Sequence, residues 1–289
     1  MNIHRVAAFC DGRRGGNPAG VVVVPELPPP EVMQTTARSV GFSETVFAQK
    51  GTDGWKVRYF SPAAEIPFCG HATIALAAFI ASQEGDGSFR MLLAHDSIEV
   101  EAQRREEVLG VATFHSPPSS SRATTEEELT AALRLFGLRP QQLHPSLRSA
   151  VISAGSTHLL LPLGDRHTLA AMDYDFATGQ RVMTEHGWVT VLLAYPEHDA
   201  LFHVRNAFAF GGVHEDPATG AAAAALAGYL RQHGYGGNRR IDVRQGEDMG
   251  VPCHLTAYTP ESVGGRARVA GAARLMSADE ESRGQGAAA

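Results

Sequence analysis

At 289 residues, with 44% hydrophobic side chains and a formal net charge of −6, the chain suffices for one large domain or two ordinary ones and has no global attraction to nucleic acid. Its three cysteines make neither a disulfide framework nor a zinc pattern. The N-terminal residues lack an apolar signal core and no run approaches ~20 unbroken apolar residues, so the chain reads as cytoplasmic, with no membrane partner.

In chain order, the pattern predicts a strand over 3–9, a polar loop over 13–18 and a buried β-branched strand over 19–24. Helical spacing over 30–40 stops at Gly41. Strands over 45–49 and 55–60 pair across Gly51-Thr52-Asp53-Gly54. An all-round apolar helix over 70–82 precedes strands at 90–93, 97–102 and 109–114. The Ser/Pro-rich stretch 115–122 is the expected boundary, giving an N-terminal lobe over 1–117 and a C-terminal lobe over 118–276. The last strand is free to return to the first lobe, and the acidic, then Gly/Ala-rich tail 277–289 is expected to be disordered. Beyond the boundary, Thr125-Glu126-Glu127-Glu128 starts a helix that ends near Gly137. Strands are expected at 150–153, 158–163, 182–186, 189–195 and 201–208. A second apolar helix covers 217–233, with Pro217 in its first turn, and strands at 241–245, 254–258 and 267–272 finish the pattern.

The order strands, helix, strands occurs twice. It implies an α+β fold of two pseudo-symmetric lobes, each a β-barrel-like sheet around a central apolar helix. The lack of crossover helices between strands argues against a doubly wound parallel sheet. The glycines between Gly12 and Gly20 follow no G-x-G-x-x-G spacing, so a Rossmann reading is weak.

A helix apolar on every face must be buried, so each central helix carries the polar residues before it to a buried N-terminus. There, free N–H groups and the helix dipole favour an anion. Glu65-Ile66-Pro67-Phe68-Cys69-Gly70-His71 leads into the first of these helices, and Glu215-Asp216-Pro217-Ala218-Thr219-Gly220 into the second. His71 is either a neutral hydrogen-bonding group in the site or a polar cap. Asp216 is either an N-cap or a carboxylate facing the site; the two are compatible. Cys69 is a small buried hydrophobe or a thiol activated by the helix end, with the former favoured. Glu44, in Gly41-Phe42-Ser43-Glu44-Thr45-Val46-Phe47, is a carboxyl on an apolar segment, which must be paired, neutral or functional, or else a solvated strand-edge acid. His158 and His203 sit in strand patterns and read as core or edge residues. No H-E-x-x-H, C-x-x-C or G-x-S-x-G spacing supports a metal centre or a serine hydrolase.

Five motifs together carry a resemblance: Phe9-Cys10-Asp11 with Gly16-Asn17-Pro18-Ala19-Gly20, Phe42-Ser43-Glu44-Thr45, Arg58-Tyr59-Phe60-Ser61-Pro62 through Cys69-Gly70-His71-Ala72-Thr73, Glu215 to Gly220, and Gln245-Gly246-Glu247-Asp248-Met249-Gly250. In this order they resemble the PhzF family of phenazine-biosynthesis isomerase-like proteins, from the N-terminus to about Ala272. The resemblance implies the diaminopimelate epimerase-like fold, with the active site between two similar lobes. It also implies a metal-free, cofactor-free proton shift, which in the phenazine enzyme isomerises trans-2,3-dihydro-3-hydroxyanthranilate. By resemblance, Glu44 moves the proton, and His71 and Asp216 assist. Asn17, Gly70, Ala72, Ala218, Thr219 and Gly220 would contact a small-molecule carboxylate, and the enzyme would be a homodimer. Two positions depart from the family's usual pattern: Ala221 replaces a serine and Val251 an arginine. The related racemases place a cysteine at each central helix start; Cys69 matches the first, and Asp216-Pro217 offers no second thiol. Amino- or hydroxy-acid epimerisation, or a non-enzymatic binding role on the same scaffold, are the alternatives.

Overall fold

A computed structural model describes residues 1–94, 97–235, 237, 239–277 and 280. The chain divides into two compact units: residues 1–115 with the segment returning at Ala270, and residues 116–269.

In the first unit, β1 (His4–Ala8) runs antiparallel to β2 (Asn17–Val24). Asn17 and Pro18 lie in β2, with Pro18 opposite Ala7, so the strand starts earlier than its β-branched run. Helix α1 (Pro30–Val40) ends at Gly41, whose φ of 76° is left-handed, and leads into β3 (Glu44–Lys50), parallel to β2. The strand β4 (Trp55–Phe60) pairs back on β3, and β5 (Glu65–Ile66) on β4. Helix α2 (Gly70–Glu84) follows, then β6 (Gly87–Leu92) parallel to β4, and β7 (Ser97–Arg105) and β8 (Val108–Pro118) in antiparallel succession. The last strand, β17 (Arg266–Leu275), pairs with β1 and β8. Thus β1, β2, β3, β4, β6, β7, β8 and β17 form a closed ring. Helix α2 packs on β1, β2, β3 and β7, and every residue from His71 to Ala81 is buried. Burial on all faces explains why this helix has no polar stripe.

The second unit repeats the pairing scheme. After β9 (Ser120–Ala123) and α3 (Glu126–Leu135), β10 (Ala150–Ser153) pairs antiparallel with β11 (Thr157–Pro162). Helices α4 (Arg166–Ala170) and α5 (Phe176–His186) precede β12 (Thr190–His198), parallel to β11. Then β13 (Leu201–Ala207) pairs antiparallel with β12, and β14 (Glu215–Asp216) hairpins back on β13. Helix α6 (Gly220–His233) leads to β15 (Arg240–Gln245), parallel to β13, and β16 (Cys253–Tyr258). Helix α6 packs on β9, β10, β11 and β16, with Ala222 to Leu230 buried. The fold is therefore α+β, two pseudo-symmetric lobes of barrel-like sheet around an apolar helix.

Several local expectations change. Residues 182–186 are the end of α5, not a strand: Asp175 caps it by accepting from the Thr178 N–H, Gly179, Val182 and Met183 are buried at helical spacing, and Gly187 ends it at φ 68°. The Ser/Pro-rich stretch is largely extended strand, the end of β8 and most of β9. Pro217 lies in the turn before α6, which starts three residues later at Gly220. Of the tail 277–289, all but Ser277 and Glu280 lies outside the described residues; Glu280 pairs with Arg274 at 2.6 Å, which holds its carboxyl down at about 2.

Candidate active site

In the first unit, chain geometry delivers Glu44 and His71 to one place. Glu44 is the first residue of β3, opposite Ala19 of β2. Its side chain is 12% exposed. Burial pushes its carboxyl pKa up, opposed by hydrogen bonds from Ser43 and Cys69. His71, buried in the first turn of α2, places Nε2 3.3 Å from Glu44 Oε2, and its Nδ1 lies 3.2 Å from Cys69 Sγ. The imidazole thus bridges a thiol and a carboxylate. Cys69 is the N-cap residue of α2, with extended backbone at φ −140° and no capping bond from its side chain, which lets the thiol face His71. It is partly exposed, contrary to the expected buried hydrophobe.

A second layer fixes that helix start. Thr73 donates its N–H (3.0 Å) and its hydroxyl (2.7 Å) to the Cys69 carbonyl. Its single hydroxyl proton is thereby used, so Tyr59 donates in the 2.7 Å Tyr59–Thr73 contact. Gly70 and Ala72 flank His71, and Asn17 is buried at the first residue of β2 in the same unit.

The second unit builds its turn differently. Thr219, not Asp216, occupies the N-cap position of α6, and its hydroxyl donates to Asp216 Oδ2 at 2.5 Å. Capping by Asp216 is therefore not its role. Gln245, fully buried, donates to the Asp216 carbonyl at 2.6 Å and accepts from the Thr219 N–H at 3.1 Å. Gly246 has φ +74°, and a Cβ there would meet the Val251 carbonyl at 2.3 Å and the Pro217 carbonyl at 3.0 Å, so only glycine lets this loop lie against the turn. Arg205 clamps Glu215 with Nε and Nη2, and its Nη1 donates to the Ala170 and Met172 carbonyls at 2.9 Å. Ala218, Thr219 and Gly220 form the strand-to-helix corner behind Asp216.

Strand registers align the two units residue by residue. Tyr59 faces Ile66 as Asn206 faces Asp216, and Val46 faces Tyr59 as Leu192 faces Asn206. Arg58–Glu65 then matches Arg205–Glu215, and each is a two-pronged ion pair. Cys69 and His71 correspond to Thr219 and Ala221, Glu44 to Thr190, and Ile66 to Asp216. The titratable trio of the first unit has no titratable counterpart at those positions of the second.

Glu44, His71 and Cys69 thus gather in one unit, and Asp216 and Thr219 in the other. Sequence reasoning missed Gln245, whose motif was visible but whose double hydrogen bond is tertiary. It also missed the Arg–Glu clamps, for which the matching Arg58…Glu65 and Arg205…Glu215 were a usable signal. His158 is a buried core residue bonded to Thr190 at 2.8 Å, and burial pushes its imidazole down to about 4. His203 sits between Glu197 (2.7 Å) and Glu247 (2.9 Å). No helix among the described residues is long and apolar enough to cross a membrane.

Comparison with known proteins places this geometry. The family model for phenazine biosynthesis-like proteins, PhzC-PhzF, matches residues 6–278. An uncharacterized isomerase of Deinococcus radiodurans is 33% identical over 86% of this chain and 83% of its own length. One from Pasteurella multocida is 29% identical over 94% of this chain and 93% of its own. Among solved structures, the Bacillus anthracis phenazine biosynthesis protein of the PhzF family superposes with TM-score 0.82 at 22% identity, covering 96% of this chain and 98% of that one. A probable proline racemase from Agrobacterium radiobacter shares the fold at TM-score 0.63 and 12% identity, over 95% and 90% of the two chains. The chain belongs to the PhzC-PhzF family of phenazine biosynthesis-like proteins.

Proposed function

We propose that this protein is an isomerase that moves a proton between carbons of a small carboxylated, cyclic substrate without a cofactor. The observation that carries the reading is Glu44: a buried carboxyl with raised proton affinity, 3.3 Å from His71, on a family scaffold whose named relatives are isomerases. Raised affinity suits one carboxyl both to take a proton from carbon and to return it. His71 Nε2 lies 3.3 Å from Glu44 Oε2, near enough for a proton on that nitrogen to steady the carboxylate in its ionised, proton-accepting state. N–H groups at the start of α2, around Gly70, His71 and Ala72, hold the substrate carboxylate and offset charge as the carbanion-like state develops; Ala218, Thr219 and Gly220 shape the turn that presents polar contacts from the second unit, where the Thr219 N–H is taken by Gln245. Asp216, set by Thr219 and Gln245, orients a polar substituent, and Asn17 supplies a further amide contact. The cytoplasmic homodimer expected from the sequence is part of this proposal.

The alignment of the units favours this over two-base epimerisation. An enzyme with one base per unit would carry titratable groups at matching places; here Thr190, Ala221 and Thr219 are the positions that correspond to Glu44, His71 and Cys69. The test is metabolite profiling of the purified protein in deuterated water. A compound isomerised with at most partial label supports the reading. Exchange at a single stereocentre, giving both epimers without a double-bond or proton shift, contradicts it.

A further inference from the structure

Glu44, Cys69 and His71 each offer one metal-ligating atom, and those atoms lie within 4.8 Å of one another. We propose that these three side chains form an inhibitory zinc site, in which a divalent zinc ion occupies the proton-moving group and switches it off. The identity of the base rests on the function proposed above; the metal site itself does not.

The donor chemistry is what zinc takes: one thiolate, one imidazole and one carboxylate, with a fourth position open to water or a ligand carboxylate. Zinc bonds of about 2.0–2.3 Å at tetrahedral angles place donor atoms roughly 3.3–3.8 Å apart. Cys69 Sγ and His71 Nδ1 already stand 3.2 Å apart. Glu44 hydrogen-bonds Cys69, so its carboxylate needs a movement of about 1 Å, within reach of a side-chain rotation, to complete the set.

Charge balances as well. Binding releases the thiol proton, and thiolate plus carboxylate then cancel the ion's two positive charges, leaving a neutral zinc-bound site beside the positive end of α2. Sequence spacing hid the site. Cys69-Gly70-His71 is too short to suggest a metal motif, and Glu44 arrives from another strand.

Zinc binding is read without any substrate. The full chain, stripped with chelator and kept reduced by a phosphine, is titrated with zinc chloride against a chromophoric chelator, and X-ray absorption reports the ligands. The expected result is a single tight zinc per chain with a sulfur ligand. Affinity should fall at least ~10-fold in Cys69→Ser and in His71→Asn, and stay unchanged in Cys253→Ser. Circular dichroism of each variant separates lost binding from lost folding, and a folded His71→Asn serves if Cys69→Ser does not fold. An all-nitrogen/oxygen ligand set, or folded Cys69→Ser and His71→Asn that bind as tightly as the native chain, overturns the proposal. Zinc binding that depends on Cys69 in a protein without isomerase turnover leaves the site standing and removes the proposed function. Turnover that depends on Glu44 in a chain that binds no zinc does the reverse.

Discussion

His71 Nε2 stands 3.3 Å from Glu44 Oε2 while the same ring's Nδ1 stands 3.2 Å from Cys69 Sγ. One imidazole therefore couples the buried acid of β3 to the thiol at the start of α2, and a change at either end reaches the other.

The first consequence is a pH profile. Burial raises the Glu44 pKa, and a base must be ionised to accept a proton from carbon. The acid limb of kcat/KM should therefore fall at a pH above the ordinary glutamate value of about 4.3, with activity rising as pH rises through it. A limb at or below that value would show that Glu44 is not the group being titrated.

Cys69 should matter as a hydrogen-bond partner. Cys69→Ser keeps one donor, for either His71 Nδ1 or Glu44, and should retain most activity. Cys69→Ala removes that donor and should cost about 5–30-fold, the kinetic equivalent of ~1–2 kcal/mol for an unmade, half-buried bond. Steady-state kinetics of the pair decides: equal activity in both variants would mean the contact does nothing, and an inactive Cys69→Ser would assign the thiol the chemistry.

The two Arg–Glu clamps share a register but not an environment. Arg205 and Glu215 side chains are 11% and 4% exposed, against 28% and 37% for Arg58 and Glu65. Removing one partner of the buried pair strands a charge, so Arg205→Leu should destabilise by about 3–5 kcal/mol. Arg58→Leu should cost about 0–1 kcal/mol, since solvent screens what remains. Urea unfolding measures both; equal losses would show that burial does not set the difference.

His158 gives the fold an acid sensitivity. Its folded-state pKa, about 4, lies below the unfolded value of about 6.5. Below pH ~6.5 the unfolded chain takes up a proton that the native core excludes, so stability is full above that pH and falls as pH drops towards about 4. The loss is on the order of 3 kcal/mol across that window. His158→Gln should be less stable at pH 7 and show a shallower decline; an unchanged slope would place the sensitivity elsewhere.

What the sequence revealed and what it hid follow from how far each signal reaches. The helix over 30–40, the paired strands around Gly51-Thr52-Asp53-Gly54 and both apolar helices are legible because periodicity and stop residues are local. The helix ending at His186 reads as a strand when Val182-Met183 is considered apart from Asp175 and Gly187, its cap and stop. At the site, Glu44 and His71 are legible as types in an unusual setting. The Cys69 thiol's turn toward His71, and the Gln245 amide spanning Asp216 and Thr219, depend on tertiary placement, which spacing along the chain does not encode.

The most direct measurement is turnover by Glu44→Gln, on the substrate identified by profiling, beside the native enzyme. Glutamine keeps the shape and hydrogen bonding of Glu44 but cannot titrate. If Glu44 moves the proton, activity falls at least ~100-fold while ligand affinity changes little. Full activity in Glu44→Gln would contradict that role and, with it, the isomerase mechanism proposed for this site.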